Sequence, residues 1–403
     1  MATYLQGGTV IGGKGDEPLP HAVVVFEGDT ITKVGRLEEV GAPAASDVVI
    51  DVSGRYVIPG LINAHEHLDT RHGVRSFWER AAEPTEYLVL RASRNCLSSL
   101  IEGVTTVRDV GGKGATSFTV RKAIEAGLIK GPRVYSCGQP IAMTGGHGDA
   151  ICFVADGVDA VRHAAREMLR RGADLVKCMA SGGFVSQGHD QPASPQYTVD
   201  ELRAAFDEAH WQNRPTTVHA HPPAAIRRAI EAGVDCIEHA ALVDQPTAEL
   251  LAEKRIPVVP TMAESWVIAH RGKELGRPQW LIDVSASHLE DRMRHYRYLV
   301  AAGVRLGCGT DVAGFMHEEM LLMHKGGLSA MQVLRAATRT NAEILGIADR
   351  AGTLEPGKWA DVVVLDADPL ADLNAVRAVR MVIKAGEVYD PAALRAAMGT
   401  LPL

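Results

Sequence analysis

The sequence YVIPGLINAHEHLD, residues 56–69, decides how the rest of the chain can be interpreted. Its apolar run is broken by Pro59-Gly60 and then delivers His65 and His67, which are separated by one residue. Successive side chains of a strand point to opposite faces, so the two imidazoles project together while Glu66 points away. Two imidazoles at a strand's end can hold one metal ion. Because the chain contains 16 histidines, the pair gains its weight from polar residues at later strand ends.

The bulk composition is that of an ordinary globular protein and excludes several classes of function. The 403 residues are 46% hydrophobic and 23% charged, and they suffice for one large barrel domain with an appendage. Lys and Arg number 42 and Asp and Glu 49, a formal charge of −7, and no basic cluster with interleaved aromatic residues occurs. Nucleic acid is therefore not an expected partner.

The chain shows no signal for export or for a membrane. Its N-terminus lacks a basic region followed by an apolar one, and no segment approaches the ~18 apolar residues of a membrane span. The six cysteines are widely spaced and include no CxxC pair, which favours reduced, buried thiols over disulfides. We predict a cytoplasmic protein that does not bind membranes.

Both ends of the chain have the pattern of short β-strands. Candidate strands occupy residues 22–27, 30–34, 48–52, 352–365 and 380–388. The alternation of apolar and polar side chains from Thr30 to Val34 is typical of a half-exposed antiparallel strand. We predict that residues 1–58 and 351–403 form one small β-sandwich and that residues 59–350 are inserted into it.

The middle of the chain alternates apolar strands with amphipathic helices, the pattern of a parallel sheet. After the opening strand, candidate strands lie at 105–108, 133–137, 175–179, 216–219, 236–239, 256–259 and 305–308. Helical patterns such as 159–171 and 199–212 lie between them, and several end in a glycine that can cap a helix. Eight strands predict a closed (β/α)8 barrel of the α/β class.

Polar side chains stand at the carboxyl ends of these strands, where (β/α)8 barrels carry their catalytic groups. They are His65 and His67 on the first strand, Lys177 on the fourth, His219 on the fifth, His239 on the sixth and Asp311 after the eighth. A cationic lysine beside a metal would cost energy by desolvation and repulsion. Its neutral amine can instead react with carbon dioxide to give an anionic carbamate that bridges two metals, although a buried salt bridge is the plainer alternative.

Seven segments together resemble the amidohydrolase superfamily of metal-dependent hydrolases over nearly the whole chain. They are GLINAHEHLD (60–69), TTVRDVGG (105–112), ADLVKCMASGG (173–183), TTVHAH (216–221), CIEHA (236–240), GCGTD (307–311) and LEPGKWADVVVLD (354–366). The resemblance implies that His65, His67 and Asp311 bind one divalent metal and that His219 and His239 bind a second.

The same resemblance implies that Lys177, carboxylated by CO2, bridges both metals. Zinc suits imidazole and carboxylate ligands, and manganese, cobalt and iron stay open. A water shared by the two metals then loses a proton and becomes the nucleophile. Asp311 would orient that water, accept its proton and pass it to the leaving nitrogen.

Within the superfamily, the loop MTGGHGD (143–149) resembles the imidazolonepropionase-related branch, which includes Xaa-Pro dipeptidases and metal-dependent carboxypeptidase-like enzymes. Imidazolonepropionase itself resembles a one-metal variant without the lysine, so Lys177 favours the two-metal peptidases. His147 in this loop would polarise the scissile carbonyl or hold a substrate carboxylate, or else order the loop. Relatives with a carboxylate-binding tyrosine two residues after the fifth-strand ligand differ from this chain, which has His221. His221 either replaces that contact or supports the site.

Three further residues are candidate substrate contacts after the seventh and eighth strands. Trp266 and Phe315 would contact an apolar group, and Arg271 would meet a carboxylate. Helix packing and solvated charge are the plainer interpretations of each.

Taken together, the sequence predicts a binuclear zinc-dependent amidohydrolase that cleaves a dipeptide or an N-acyl amino acid and resembles Xaa-Pro dipeptidases. The alternatives are hydrolysis of a non-peptide amide, carbamate or cyclic amide at the same site, and a non-enzymatic metal-binding scaffold. We also predict a homo-oligomer.

Overall fold

The computed structural model describes residues 1–13, 15–70, 77–184 and 190–398, without the side chains of Phe77 and Trp78. The strands outside the barrel wall are β1 (Thr3–Val10), β2 (Leu19–Glu27), β3 (Thr30–Arg36), β4 (Val48–Asp51), β5 (Tyr56–Pro59), β9 (Ile141–Ala142), β10 (Phe153–Val154), β15 (Val362–Leu365), β16 (Val379–Lys384) and β17 (Glu387–Tyr389). Those of the barrel wall are β6 (Leu61–Glu66), β7 (Val104–Asp109), β8 (Arg133–Ser136), β11 (Val176–Met179), β12 (Thr216–Ala220), β13 (Cys236–His239) and β14 (Val258–Val259).

Strands from both ends of the chain share one sheet. Its order is β17-β16-β15-β5-β1-β2-β3, with β4 paired to β1. The first and last parts meet where β5 pairs antiparallel with β15, so that Pro59 lies opposite Val362. The β3 edge also reaches the segment before β15, because the Ile31 amide donates to the Lys358 carbonyl. The sheet thus curls on itself.

One apolar core fills this curled sheet. Leu5, Phe26 and Ile31 from the N-terminal strands pack with Val364 and Ile383 from the C-terminal ones, and all are buried. Because neither set of strands could bury these side chains alone, the two chain ends depend on each other. The predicted β-sandwich formed by both termini is confirmed.

Eight parallel segments form the wall of the barrel; seven are strands, and the eighth contributes a single β-bridge. Two hydrogen-bonded sheets, β6-β7-β8 and β10-β9-β11-β12-β13-β14, supply seven of them. The Asp174 amide joins the two sheets by donating to the Ser136 carbonyl. On the other side, Leu306 pairs with Val258 in a parallel bridge, and the Ala64 amide donates to the Cys308 carbonyl. These bonds close the ring through the predicted eighth strand, and the (β/α)8 fold is confirmed.

Helices follow the strands and cover the wall. They are α1 (Leu37–Val40), α2 (Phe77–Ala82), α3 (Thr85–Ile101), α4 (Thr116–Glu125), α5 (Val158–Arg170), α6 (Val199–His210), α7 (Pro223–Ala232), α8 (Gln245–Glu253), α9 (Met262–Arg271), α10 (Gln279–Ala301), α11 (Met316–Lys325), α12 (Ala330–Arg335), α13 (Asn341–Ile344) and α14 (Pro391–Met398). Short turns of other helical types occupy Lys113–Ala115, Ala336–Thr340 and Leu373–Arg377. In the described ranges, no helix combines the length and hydropathy that a membrane span requires.

Local sequence explains where these helices begin and end. The Thr198 hydroxyl accepts from the Glu201 amide while the Glu201 carboxylate accepts from the Thr198 amide, a capping box that starts α6. Gly233 ends α7 in the left-handed region at φ 93°, as its predicted capping role requires. Such short connections leave the carboxyl ends of the strands on one side of the barrel.

Candidate active site

His65 and His67 lie at the end of β6 and are oriented by hydrogen bonds from their Nδ1 atoms. His65 Nδ1–H donates to Glu238 Oε2 over 2.7 Å, and His67 Nδ1–H donates to the Gly111 carbonyl. Both bonds leave Nε2 for another contact, and each Nε2 lies 3.3 Å from Asp311 Oδ1. His65 Nε2 is buried without a hydrogen-bond partner. A divalent cation would satisfy such an atom.

His239 brings a third ring to the same place. Ligand atoms of His65, His239 and Asp311 lie within 4.8 Å of one another. The Thr261 hydroxyl contacts His239 Nδ1 over 2.6 Å, so that Nε2 is again the open nitrogen. Burial would raise the pKa of Asp311, but His65 and His67 hold that pKa well below its usual range. The carboxylate is therefore ionised, as a metal ligand must be.

The backbone is strained where these residues leave their strands. His239, Thr261 and Asp311 have φ values of 71°, 49° and 68°, in the left-handed region that residues other than glycine seldom adopt. Strain of this kind costs on the order of 1–3 kcal/mol per residue and persists where the surroundings enforce it. Three such residues at neighbouring strand ends make this place a candidate functional site.

His219 at the end of β12 presents its other nitrogen. Its Nε2–H donates to the Gly182 carbonyl over 3.0 Å, which leaves Nδ1 as the open atom. Its ring centre lies 4.6 Å from that of His239. Burial, reinforced by neighbouring imidazoles, holds the pKa of both histidines well below the usual range. Neutral imidazoles with one free nitrogen each are suitable ligands for a divalent metal.

Lys177 occupies the middle of β11 and is 2% exposed. Its side chain lines the same cleft as His219, His239 and Asp311. Burial lowers the pKa of Lys177, which the negative charge of Glu238 partly offsets. A lowered pKa favours the neutral amine, which is the form that reacts with carbon dioxide.

Glu238 contacts the metal-binding residues through a hydrogen bond with His65. Its Oε1 accepts from Arg108 Nη2 over 2.5 Å and from the Thr217 hydroxyl, while Oε2 accepts from His65. Burial would raise the pKa of Glu238, but Arg108 and His65 hold that pKa below its usual range. This fully buried carboxylate fixes the tautomer and orientation of His65.

His147 belongs to a closed ring of buried polar groups. Its Nδ1–H donates to Asp190 Oδ2 over 2.8 Å, and Gln196 Nε2 donates to Asp190 Oδ1 over 3.2 Å. The His147 amide completes the ring by donating to Gln196 Oε1. The imidazole stacks on His219 with ring centres 4.2 Å apart. A side chain at Gly183 would collide with this ring, since its Cβ would lie 2.0 Å from His147 Cε1.

An open cleft of about 1150 Å³, a volume that includes its mouth, has a floor lined by His67, His147, Lys177, His219, His239 and Asp311. His65 adjoins this floor through its contacts with Asp311 and His239. His221 lies in the cleft with its ring centre 4.5 Å from that of His219, and its Nδ1 is buried without a hydrogen-bond partner. Helices α9 and α10 supply much of the wall. Cleft-lining residues of this wall are Glu264, Ser265, Ile268, Leu281, Val284, Ser285, His288 and Arg292.

The structure does not bring three of the predicted substrate contacts to the lining of this cleft. Trp266 stacks on His270 and lines a separate groove between α9, α10 and α11. Arg271 is exposed and pairs with Glu274 over 3.2 Å. Phe315 is buried in the main apolar core. Helix packing and solvated charge, the plainer interpretations, describe these positions.

The structure adds four candidate site residues that the sequence did not predict. Glu238 is an acid inside an apolar strand, and that signal was available beside the conspicuous His239. Asp190, Glu264 and Arg277 gave no comparable signal, because they lie in loops or helices whose orientation only the fold determines. Burial and the nearby Asp311 raise the pKa of Glu264 to about 8.

The amino-acid sequence is similar to a known family and to several of its members. The profile of the amidohydrolase family matches residues 56–389. The chain is 31% identical to an ochratoxinase of Aspergillus niger over 96% of this chain and 86% of that protein. It is 24% identical to an imidazolonepropionase of Rhizobium rhizogenes over 87% and 89% of the two chains.

A solved structure is similar throughout. A prolidase crystallised with N-methylphosphonate-L-proline is 33% identical, with a TM-score of 0.89, and the match covers 97% of this chain and all of that one. These findings confirm the resemblance inferred from the seven segments. The chain belongs to the amidohydrolase family and is a hydrolase that acts on C–N bonds.

Proposed function

We propose that the protein is a binuclear metal-dependent amidohydrolase that cleaves the amide bond of a dipeptide or an N-acyl amino acid, as an Xaa-Pro dipeptidase does. The observation that carries this proposal is the convergence of His65, His239 and Asp311 within 4.8 Å, with a buried imidazole nitrogen left unpaired among them. Similarity to a prolidase and to an ochratoxinase supports this class of substrate.

In this proposal His65, His67 and Asp311 hold one divalent metal, and His219 and His239 hold the second. Lys177, carboxylated by CO2, would be a ligand to both metals. Support comes from the hydrogen bonds that occupy one nitrogen of each imidazole and so select the other as the ligand atom. Zinc is the expected metal, because this donor set combines imidazoles with carboxylate oxygens.

Bound divalent metals would polarise the scissile carbonyl and lower the pKa of water. Proton transfer and substrate positioning fall to residues of the chain. Asp311 orients the attacking water and accepts its proton as the C–O bond forms; it then passes that proton to the leaving nitrogen, and the C–N bond breaks. His147, held by Asp190, donates a hydrogen bond from Nε2 to the substrate carbonyl. His221, whose Nδ1 faces no protein partner, supports the substrate beside it.

We also propose the division of the chain into residues 1–58, 59–350 and 351–403, with the middle part as the hydrolase. β5 belongs to the terminal sheet and β6 to the barrel wall, which supports a boundary near Pro59. A homo-oligomer and a cytoplasmic location remain proposals from the sequence.

Hydrolysis of a library of dipeptides and N-acyl amino acids by metal-analysed protein tests the proposal. We expect two metals per chain and turnover of Xaa-Pro or related substrates. The protein could bind two metals and yet hydrolyse no peptide or N-acyl amino acid. That result would indicate that the substrate is a carbamate, a cyclic amide or another non-peptide amide. A protein that binds no metal under reconstitution would contradict the proposed chemistry.

A further inference from the structure

Thr261 immediately precedes α9 but does not supply the capping bond that this residue type ordinarily provides. The side-chain oxygen of a threonine at this position usually accepts from a backbone amide two or three residues later. Thr261 makes no such bond, and its backbone lies in the left-handed region at φ 49° and ψ 47°. Its hydroxyl oxygen lies 2.6 Å from His239 Nδ1 instead. The hydroxyl therefore contacts a proposed metal ligand and not its own helix.

Glu319 of α11 caps the start of α9. Its Oε2 accepts from the Ala263 amide over 2.6 Å, and this is one of the amides that a capping side chain ordinarily satisfies. A carboxylate is also favoured at this place by the positive end of the helix dipole. Helix α9 thus receives its cap from a residue that lies 56 positions after Ala263 in the chain.

This way of capping α9 is costly. Glu319 is fully buried, and its Oε1 has no hydrogen-bond partner among the described residues. Burial raises the pKa of Glu319 to about 7, and the amides of Ala263 and Met262 act against that rise. A buried acid with an unsatisfied oxygen is unfavourable, whereas a Thr261 hydroxyl turned towards Ala263 would cap α9 without one. What the costly arrangement preserves is the contact between Thr261 and His239.

Arg292 of α10 holds the other side of the same turn. It is 8% exposed, and its guanidinium donates to the carbonyls of Pro260 over 3.4 Å and of Thr261 over 3.2 Å. It also donates to the Ser265 hydroxyl within α9. Glu319 binds an amide that follows Thr261, and Arg292 binds carbonyls at and before it. Two charged side chains thus fix the strained backbone of Thr261 from both directions.

We propose that Glu319 is a positioning residue for His239. Because it caps α9 in place of Thr261, the Thr261 hydroxyl is left to accept from His239 Nδ1–H, and His239 Nε2 stays directed at the metal. A partner on the second nitrogen of a ligating imidazole sets the tautomer and orientation of the ring. This inference rests on the proposed role of His239 as a ligand of the second metal and extends the support of that ligand to α11.

Crystal structures of the metal-free, full-length wild type and Glu319→Met test the first step. Methionine has nearly the volume of glutamate but no oxygen for the Ala263 amide, so the Thr261 hydroxyl should turn to that amide and leave His239. Glu319→Gln keeps an oxygen acceptor and should keep the hydroxyl within hydrogen-bond distance of His239 Nδ1. A hydroxyl that stays on His239 in Glu319→Met would overturn the inference.

Zinc titration of the metal-free proteins against a competing chelator tests the second step. Glu319→Met and Thr261→Val should each weaken the binding of one of the two zinc ions by about 10- to 100-fold. The double variant should bind zinc no more weakly than Thr261→Val alone, because Glu319 acts through the hydroxyl that valine lacks. Losses that add in the double variant would contradict this route from Glu319 to His239.

Thr261→Val also keeps the inference testable if Glu319→Met does not fold. Valine has the shape of threonine without its hydroxyl, and Thr261→Ser, which keeps the hydroxyl, should retain most of the zinc affinity. Unchanged zinc affinity in Thr261→Val would by itself overturn the inference. Glu318→Gln is the matched control and should bind zinc as the wild type does, because Glu318 adjoins Glu319 on α11 but pairs with Arg377 over 2.9 Å.

The outcomes distinguish this inference from the proposed function. A wild type that binds fewer than two zinc ions would contradict the binuclear proposal. The metal-free crystal structures would still decide whether Glu319 keeps the Thr261 hydroxyl on His239, since that contact is present without any metal.

Discussion

The floor of the cleft and its helical wall are built on different principles. His65, His219 and His239 are placed by β-strands whose backbone hydrogen bonds close a ring, and each imidazole is oriented by a further hydrogen bond. The wall consists of α9 and α10, whose side chains are ordered mainly by packing. We infer that the residues of the floor serve the reaction and that those of the wall serve the choice of substrate. Changes in the floor should abolish chemistry, and changes in the wall should shift substrate preference.

Among changes in the floor, Asp311→Asn should have the largest effect on kcat. The amide cannot accept the proton of the attacking water, so we expect kcat to fall by between about 10² and 10⁴-fold. The melting temperature should stay close to that of the wild type. End-point assays of product after long incubation check the result, with the metal content of both proteins measured. Unchanged turnover would remove Asp311 from the proton pathway.

His147→Ala should have the next largest effect. Loss of one preorganised donor to the developing charge on the carbonyl costs about 10²-fold in kcat. Asp190→Asn should cause a smaller loss of the same kind, since it only loosens His147. An effect confined to KM for substrates with a free carboxylate would show instead that His147 holds that carboxylate.

Glu238→Gln tests how much metal binding depends on the residue that orients His65, rather than on the ligands themselves. Removing the charge that orients His65 should weaken zinc affinity by about 10- to 100-fold. It also leaves the buried Arg108 without its counter-charge, at a cost of up to about 3–5 kcal/mol. Competition with a zinc chelator and thermal unfolding measure the two effects. Glu343→Gln, on the surface beside Arg339, is the control and should change stability by at most about 1 kcal/mol.

Arg271→Gln should have the smallest effect. Its side chain is exposed and paired with Glu274, so kcat/KM should change by no more than about twofold. A loss of kcat/KM in Arg271→Gln that is confined to substrates with a free carboxylate would show that Arg271 does contact the substrate.

The same contrast explains what the sequence could predict. Strands alternate with period 2 and end at one edge of the barrel, so a polar residue after an apolar strand can be placed without knowing the helices. That argument located His65, His67, Lys177, His219, His239 and Asp311 at the cluster or in the lining of the cleft.

The wall could not be predicted in this way. Trp266 and Ile268 are two residues apart on α9, yet one lines the separate groove and the other the cleft. Choosing between them requires the rotation of α9 against α10, which side-chain packing sets and which no short motif records. The role of Asp190 depends on a loop that brings it 43 residues back to His147.

The binuclear mechanism depends most on Lys177, because its carbamate would be the ligand common to both metals. The most direct test is a crystal structure of the zinc-loaded enzyme, prepared with bicarbonate, at a resolution that shows the atoms on Lys177 Nζ. We predict density for a carboxyl group on Nζ between two zinc ions about 3.5–4 Å apart. An unmodified amine in the metal-loaded enzyme, with a single zinc held by His65, His67 and Asp311, would contradict the binuclear mechanism.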